Sequence, residues 1–310
     1  MKRFLLPLSL LCLTLSLMSQ ALAQTSGPPK VMLFEREELK PGAAEGHERE
    51  SNNFVRMLAH AKEVSGEKSY YRIGMTPVAG NTNEVMYILP FNSLDELSQS
   101  QKDIERWMSR PGPMNSFVTK IRQEHPSNQS GVNDDFHLTQ RDMIGLRMDD
   151  LTYNPRANVG EARYMEMTIW RVKPGELQNF LKVGHLIVNA HKEAKTDTHF
   201  VTYRIMGGTL NGTFITLSSL KTLDEMMPDP AQQAAFAKAL GDNAKEVDKL
   251  AGESLVNSET NIYAFRPTMS NPQDNWVAAD SAFWKQEMPA PPPQTATSAR
   301  QGNGKKRQRQ

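Results

Sequence analysis

With its single cysteine, Cys12, inside an N-terminal apolar run, the chain must draw any side-chain chemistry from carboxylates, phenols and imidazoles. Glu35, Glu37, Tyr87, Glu166 and Trp170 fall on stretches where side chains alternate in character, the mark of strands with two unlike faces. A few carboxylates beside rings such as Tyr87, Trp170 and Phe214 would suit a small-molecule pocket, with apolar area for affinity and polar groups for orientation or proton transfer. The plainer reading of the glutamates, as structural links to Arg72 and Arg204, is preferred because buried charges are generally paired.

The histidines offer less. His60 and His191 each follow an alanine near the end of a helical stretch, and His185 and His191 do not have the spacing that shares a helix face. No HxH, HExxH or His-carboxylate spacing stands out, so neither a metal site nor a bound cofactor is expected. A GxSxG elbow, a Walker-type phosphate loop and a dinucleotide-binding GxGxxG are all absent.

The elements that would position these residues occur twice. Lys40-Pro41-Gly42 matches Lys173-Pro174-Gly175, Tyr71-Arg72-Ile73 matches Tyr203-Arg204-Ile205, and Ser93-Leu94-Asp95-Glu96-Leu97 resembles Thr222-Leu223-Asp224-Glu225-Met226, always in the same order. Each copy reads as a strand, a Lys-Pro-Gly turn, a helix, a hairpin, a second helix opened by acidic residues, and a closing strand. That βαββαβ order predicts an α+β fold of two tandem ferredoxin-like units, each an antiparallel sheet with helices on one face.

Two such units joined in one chain, with the Lys-Pro-Gly turn after the first strand, resemble tandem dimeric α+β barrel proteins of the antibiotic-biosynthesis-monooxygenase-like and NIPSNAP-like groups. The resemblance spans about residues 30–270 and implies that the two sheets pair as an intramolecular barrel, a pseudo-dimer within one monomer. Some relatives of this fold are cofactor-free oxygenases or haem-handling proteins, so the resemblance implies an enzyme as one alternative. On the first strand of copy two, Met165, Met167 and Ile169 alternate with Glu166, Thr168 and Trp170. The all-apolar side is assigned to the helices. Glu35, Glu37, Tyr87, Glu166, Trp170 and Phe214 are thereby expected to face the space between the sheets as candidate ligand-binding residues.

The ends of the chain set the context. Lys2 and Arg3, a leucine-rich core and Ala21-Leu22-Ala23 have the three-part pattern of a cleaved export signal, so a periplasmic or extracellular protein without disulfides or a thiol nucleophile is expected. The expected segments are the signal at 1–23, a first unit at 24–156, a second at 157–270, and a C-terminal arm with a disordered basic tail at 271–310. Trp276, Phe283 and Trp284 could dock as that arm over the barrel. Arg300, Lys305, Lys306, Arg307 and Arg309 lie in the tail, leaving a net acidic body despite a formal charge of +1. Nucleic acid is therefore not an expected partner, and no later segment is apolar enough to span a membrane. Three functions compete: a binder of a small apolar or aromatic molecule between the sheets, a monooxygenase-like or haem-handling enzyme, and a module whose tail engages an anionic envelope surface.

Overall fold

The computed structural model describes residues 27–65, 70–78, 81–108, 119, 136–156, 159–227 and 229–288. The segment expected to be an export signal and the expected basic tail lie outside those residues, as do residues 110–113 and 131–135.

Each copy folds as its pattern predicts. Copy one runs β1 (Val31–Leu39), α1 (Ala44–Ser65), β2 (Ile73–Pro77), β3 (Glu84–Phe91), α2 (Leu94–Met108) and β4 (His137–Arg147). Copy two runs β5 (Tyr164–Val172), α3 (Leu177–Ala194), β6 (Val201–Gly207), β7 (Thr213–Leu220), α4 (Pro230–Leu240), α5 (Asn243–Ser254) and β8 (Leu255–Phe265). The Lys-Pro-Gly turns work because Gly42 and Gly175 take φ of 81° and 89°, a region that a side chain disfavours. In both copies a glutamate one turn into the next element closes back on the strand end: Glu96 accepts from the Asn92 amide and Glu225 from the Lys221 amide. Copy two's second helix is split. Leu223–Met226 makes only a 3-10 turn; Asp229 then caps α4 through the Ala231 amide with Pro230 at its first position, and Gly241 ends it before α5. Trp107 in the last turn of α2 is buried, with its ring packed against Tyr70.

The eight strands close into one barrel in the order β1-β3-β2-β8-β5-β7-β6-β4. Within each half this is the ferredoxin-like order, and the halves join edge to edge through β2–β8 and β4–β6, so neither sheet keeps an open edge. The two halves share their registers. Glu35 lies between Tyr87 and Asp142, and Thr168 between Thr216 and Thr260; both first strands bulge at their last residue, opposite His137 and Leu255. The bridges Arg72–Asn271 and Tyr153–Phe200 are also counterparts. The Tyr-Arg-Ile match in the sequence is therefore out of step in space: the place of Arg72 is taken in copy two by Phe200, not Arg204.

The assignment of strand faces needs correcting. Met165, Met167 and Ile169 pack with Met32, Phe34, Met75, Met86, Ile88, Met143, Tyr203 and Phe265 in a single cluster drawn from both copies, which is the barrel bore. Leu33, Val85, Tyr87 and Leu89 pack with Met57, Leu58 and Leu97 of the copy-one helices, and Trp170 and Phe214 with Phe180 of α3. The all-apolar faces thus line the bore. A bore walled on every side must exclude unpaired polar groups more strictly than a helix-covered face whose margins reach water. Glu35, Glu37, Tyr87, Glu166, Trp170 and Phe214 consequently lie on the outer, helix-facing side and not between the sheets.

One end of the bore is plugged. Arg36 donates to Glu84, whose other carboxylate oxygen accepts from the Tyr263 hydroxyl at 2.6 Å. The other end is roofed by the C-terminal arm, α6 (Asp274–Ala279) and α7 (Ser281–Trp284), as expected for Trp276, Phe283 and Trp284. The Trp284 indole donates to the Gly160 carbonyl, and a Cβ on Gly160 would meet the Trp276 backbone at 2.6 Å, so the arm rests on a glycine. No helix among the described residues is long and apolar enough to cross a membrane.

Candidate functional site

Two places gather chemistry, one at the roofed end of the bore and one beneath α1. The first is a cavity of about 300 Å³. Its apolar wall comes from inward residues of both copies, including Met32, Ile73, Ile88, Met165, Val201 and Leu217, with Trp276 of the arm at its mouth. Polar residues also line it, among them Tyr71, Glu96, Arg156, His199 and Gln273. His199 is engaged, its Nε2 lying 2.6 Å from the Ser219 carbonyl. Arg156 gives Nη2 to Glu225 at 2.7 Å, but its Nη1 is buried with no hydrogen-bond partner among the described residues. A guanidinium nitrogen left so is costly unless something accepts from it.

The second place is an ionisable patch between the outer face of the copy-one sheet and α1. Strand alternation puts Glu35 and Glu37 on this face, and successive turns of α1 bring His47 and Ser51 down onto it. His47 Nε2 and Glu37 Oε2 are 2.7 Å apart, and His137 Nε2 at the start of β4 is 3.3 Å from the same oxygen. Arg72 forms its ion pair with Glu35 at 3.0 Å, approaches Glu37 at 3.9 Å, and stacks its guanidinium 3.3 Å above the Tyr87 ring. The Tyr87 hydroxyl and Ser51 Oγ are 2.6 Å apart.

Electrostatics separate the two carboxylates. Burial is the largest influence on each and raises it; for Glu37 the His47 hydrogen bond, Arg72 and the imidazoles together outweigh burial and bring its pKa below the ordinary value. For Glu35 burial wins over Arg72, aided by Asp142 across the strand, and its pKa is raised. Tyr87 is also pushed up by burial, and so holds its proton. His47 is not fully satisfied, since its Nδ1 is buried without a hydrogen-bond partner among the described residues.

Of the six candidates from the sequence, Glu35, Glu37 and Tyr87 are brought together here. Trp170 and Phe214 meet Phe180 in the corresponding place of copy two, and Glu166 lines a separate polar recess with His191, His199 and Asp229. The expected Arg72 link is present, whereas Arg204 is exposed and takes no part. Sequence spacing missed His47, His137, Arg156 and Ser51. His47 and His137 become neighbours, with ring centroids 5.3 Å apart, only because α1 folds over β1 and β4 pairs beside it. No metal site is expected from sequence spacing, yet folding brings this trio together, with ligand atoms all within 4.8 Å of one another. A usable signal existed: aligning the two Lys-Pro-Gly turns sets His47 against Phe180 and Glu37 against Trp170, polar groups where the other copy is apolar.

No protein-family profile matches the chain, and no curated protein matches it. Among solved structures it is similar to an anthrone oxidase-like protein, at 10% identity over 78% of this chain and 93% of that one with a TM-score of 0.43. It is likewise similar to a chlorite dismutase variant from Candidatus Nitrospira defluvii in complex with cyanide, at 12% identity over 78% and 92% with a TM-score of 0.43. These values speak to neither activity nor ligand; the dimeric α+β barrel class rests on the strand order itself.

Proposed function

We propose that the protein binds a small, mainly apolar or aromatic molecule carrying an anionic or hydrogen-bond-accepting group in the cavity at the roofed end of the barrel. The observation that carries this reading is a cavity of about 300 Å³ whose apolar wall comes from both copies and whose lining includes Arg156, a guanidinium with no hydrogen-bond partner for Nη1 among the described residues. Apolar walls supply affinity and one unsatisfied donor fixes orientation, which is the usual division of labour in ligand pockets. The occupant would lie between the two copies, held by Met165, Ile73 and Arg156. The carboxylates named from the sequence stay outside the bore. In the exported setting that residues 1–23 suggest, such a protein would carry or sense a molecule outside the cytoplasm.

Isothermal titration with naphthalene sulfonate, an aromatic anion, tests the reading. Saturable binding by the wild type is expected, weakened by Arg156→Met and abolished by Met165→Trp, which fills the cavity. Binding that survives Met165→Trp unchanged would remove the cavity from consideration.

A further inference from the structure

A different site is implied beneath α1, on the outer face of the copy-one sheet and separate from the bore. Glu37 Oε2 is the hub. His47 Nε2 is 2.7 Å from it and His137 Nε2 3.3 Å, so one carboxylate oxygen and two imidazole nitrogens converge from three different elements. Donor atoms sharing one first-row metal ion sit roughly 3–3.5 Å apart when each is about 2.1 Å from it; His137 already lies at such a distance from Glu37 Oε2, His47 is closer, and all three ligand atoms are within 4.8 Å, so adjustment of the side chains would gather them around one ion. Its side chains are held from behind by Arg72, which approaches the second oxygen of Glu37 at 3.9 Å while pairing with Glu35.

Charge points the same way. Among the described residues, Glu35, Glu37 and the cross-strand Asp142 are opposed by Arg72, with the two imidazoles and the protonated Tyr87 also facing Glu37. A divalent cation would supply the missing positive charge. His47 and Glu37 side chains are each only 6% exposed, whereas His137 is 26% exposed and leaves a way in from solvent.

Copy two removes the alternative that the fold requires such a trio for packing. By strand register and helix position, Glu37, His47 and His137 correspond to Trp170, Phe180 and Leu255. Those three belong to one apolar cluster, and the same βαββαβ unit closes over them. Burying ionisable groups where apolar ones suffice is unfavourable unless they have a task.

We propose that Glu37, His47 and His137 form a binding site for a single divalent first-row transition-metal ion. Two imidazoles and one carboxylate leave coordination positions open for water or a small ligand, as catalytic zinc and non-haem iron sites do. A purely structural trio would instead be a hydrogen-bonded cluster indifferent to metals.

The test uses the full mature chain, without an affinity tag and stripped with chelator, titrated with Co(II) by visible absorption and with Zn(II) in competition. One saturable equivalent is expected, and in the wild type Co(II) should shift or broaden the ring resonances of two of the seven histidines. His47→Phe and His137→Leu, which install the copy-two residues, should each weaken binding by roughly tenfold or more. His185→Ala, removing an exposed partner of Asp150, should leave it unchanged. Absence of a saturable equivalent, or affinity insensitive to both substitutions, overturns the proposal. If either variant does not fold, the wild-type histidine resonances decide: no pair perturbed by Co(II) means no such site.

Discussion

The patches beneath the first helices of the two copies have one backbone and opposite chemistry. In copy one the positions are filled by Glu35, Glu37, His47, Arg72, Tyr87, His137 and Asp142; in copy two their counterparts are Thr168, Trp170, Phe180, Phe200, Thr216, Leu255 and Thr260. Every ionisable group has a neutral replacement. Copy two meets its remaining polar needs with hydroxyls: Thr168 and Thr260 are 2.9 Å apart, Thr202 and Thr216 3.1 Å, and the Trp170 indole donates to Thr216. The βαββαβ unit thus needs filled volume and satisfied polar atoms at these places, not charge. Charge in copy one is an addition to the fold, and the duplication supplies its internal control.

Unbalancing the charged patch should have the largest effect. Arg72→Met leaves Glu35 and Glu37 buried without their guanidinium, and should lower stability by about 3–5 kcal/mol in urea denaturation. A loss below about 1 kcal/mol would mean that the patch is far wetter than its burial implies. The next largest effect should have the opposite sign. Converting the trio towards copy two with Glu37→Leu, His47→Phe and His137→Leu together should raise stability by about 1–4 kcal/mol, since apolar residues often outperform a buried ionic group. The same triple variant should no longer bind Co(II). Marked destabilisation would show that copy one has adapted its packing to the polar trio.

A smaller effect sits on copy two. Burial raises the Glu166 carboxyl above its ordinary 4.5, with His199 pulling the other way, whereas the equivalent place in copy one holds Leu33, which does not titrate. The folded chain therefore binds this proton more tightly than the unfolded chain does. Its contribution to stability is complete below pH 4.5 and is lost as the pH rises through the folded value. Thermal melts of Glu166→Gln should lose less stability than the wild type between that pH and neutrality. Identical pH profiles would indicate that Glu166 is solvated in the folded state.

Much of the architecture was legible because it is written locally. The Lys-Pro-Gly turns, the acidic helix starts and the strand periodicities each depend on a few neighbouring residues, and their recurrence in order gives the duplication and thus the barrel. The arm bearing Trp276, Phe283 and Trp284 was legible for a similar reason, as a cluster of large rings with no strand or helix of the repeat to belong to. Which strand face points inwards was not. Period two separates Glu166 from Met165 but does not say whether helix or bore is the drier side, and the closed bore proved to be so. The Tyr-Arg-Ile match misled for a related reason, since short similar strings can slide along a strand without changing the face they show. Glu37 could be singled out as a carboxylate on a strand, but its partners could not, because His137 reaches it through strand pairing and His47 through helix docking.

Native mass spectrometry of the protein purified from its own host shows whether the roofed end of the barrel holds a small molecule. A non-covalent organic adduct of defined mass is predicted on the wild type, released on denaturation and missing from Met165→Trp. An empty wild-type protein, or an adduct retained by Met165→Trp, would contradict it.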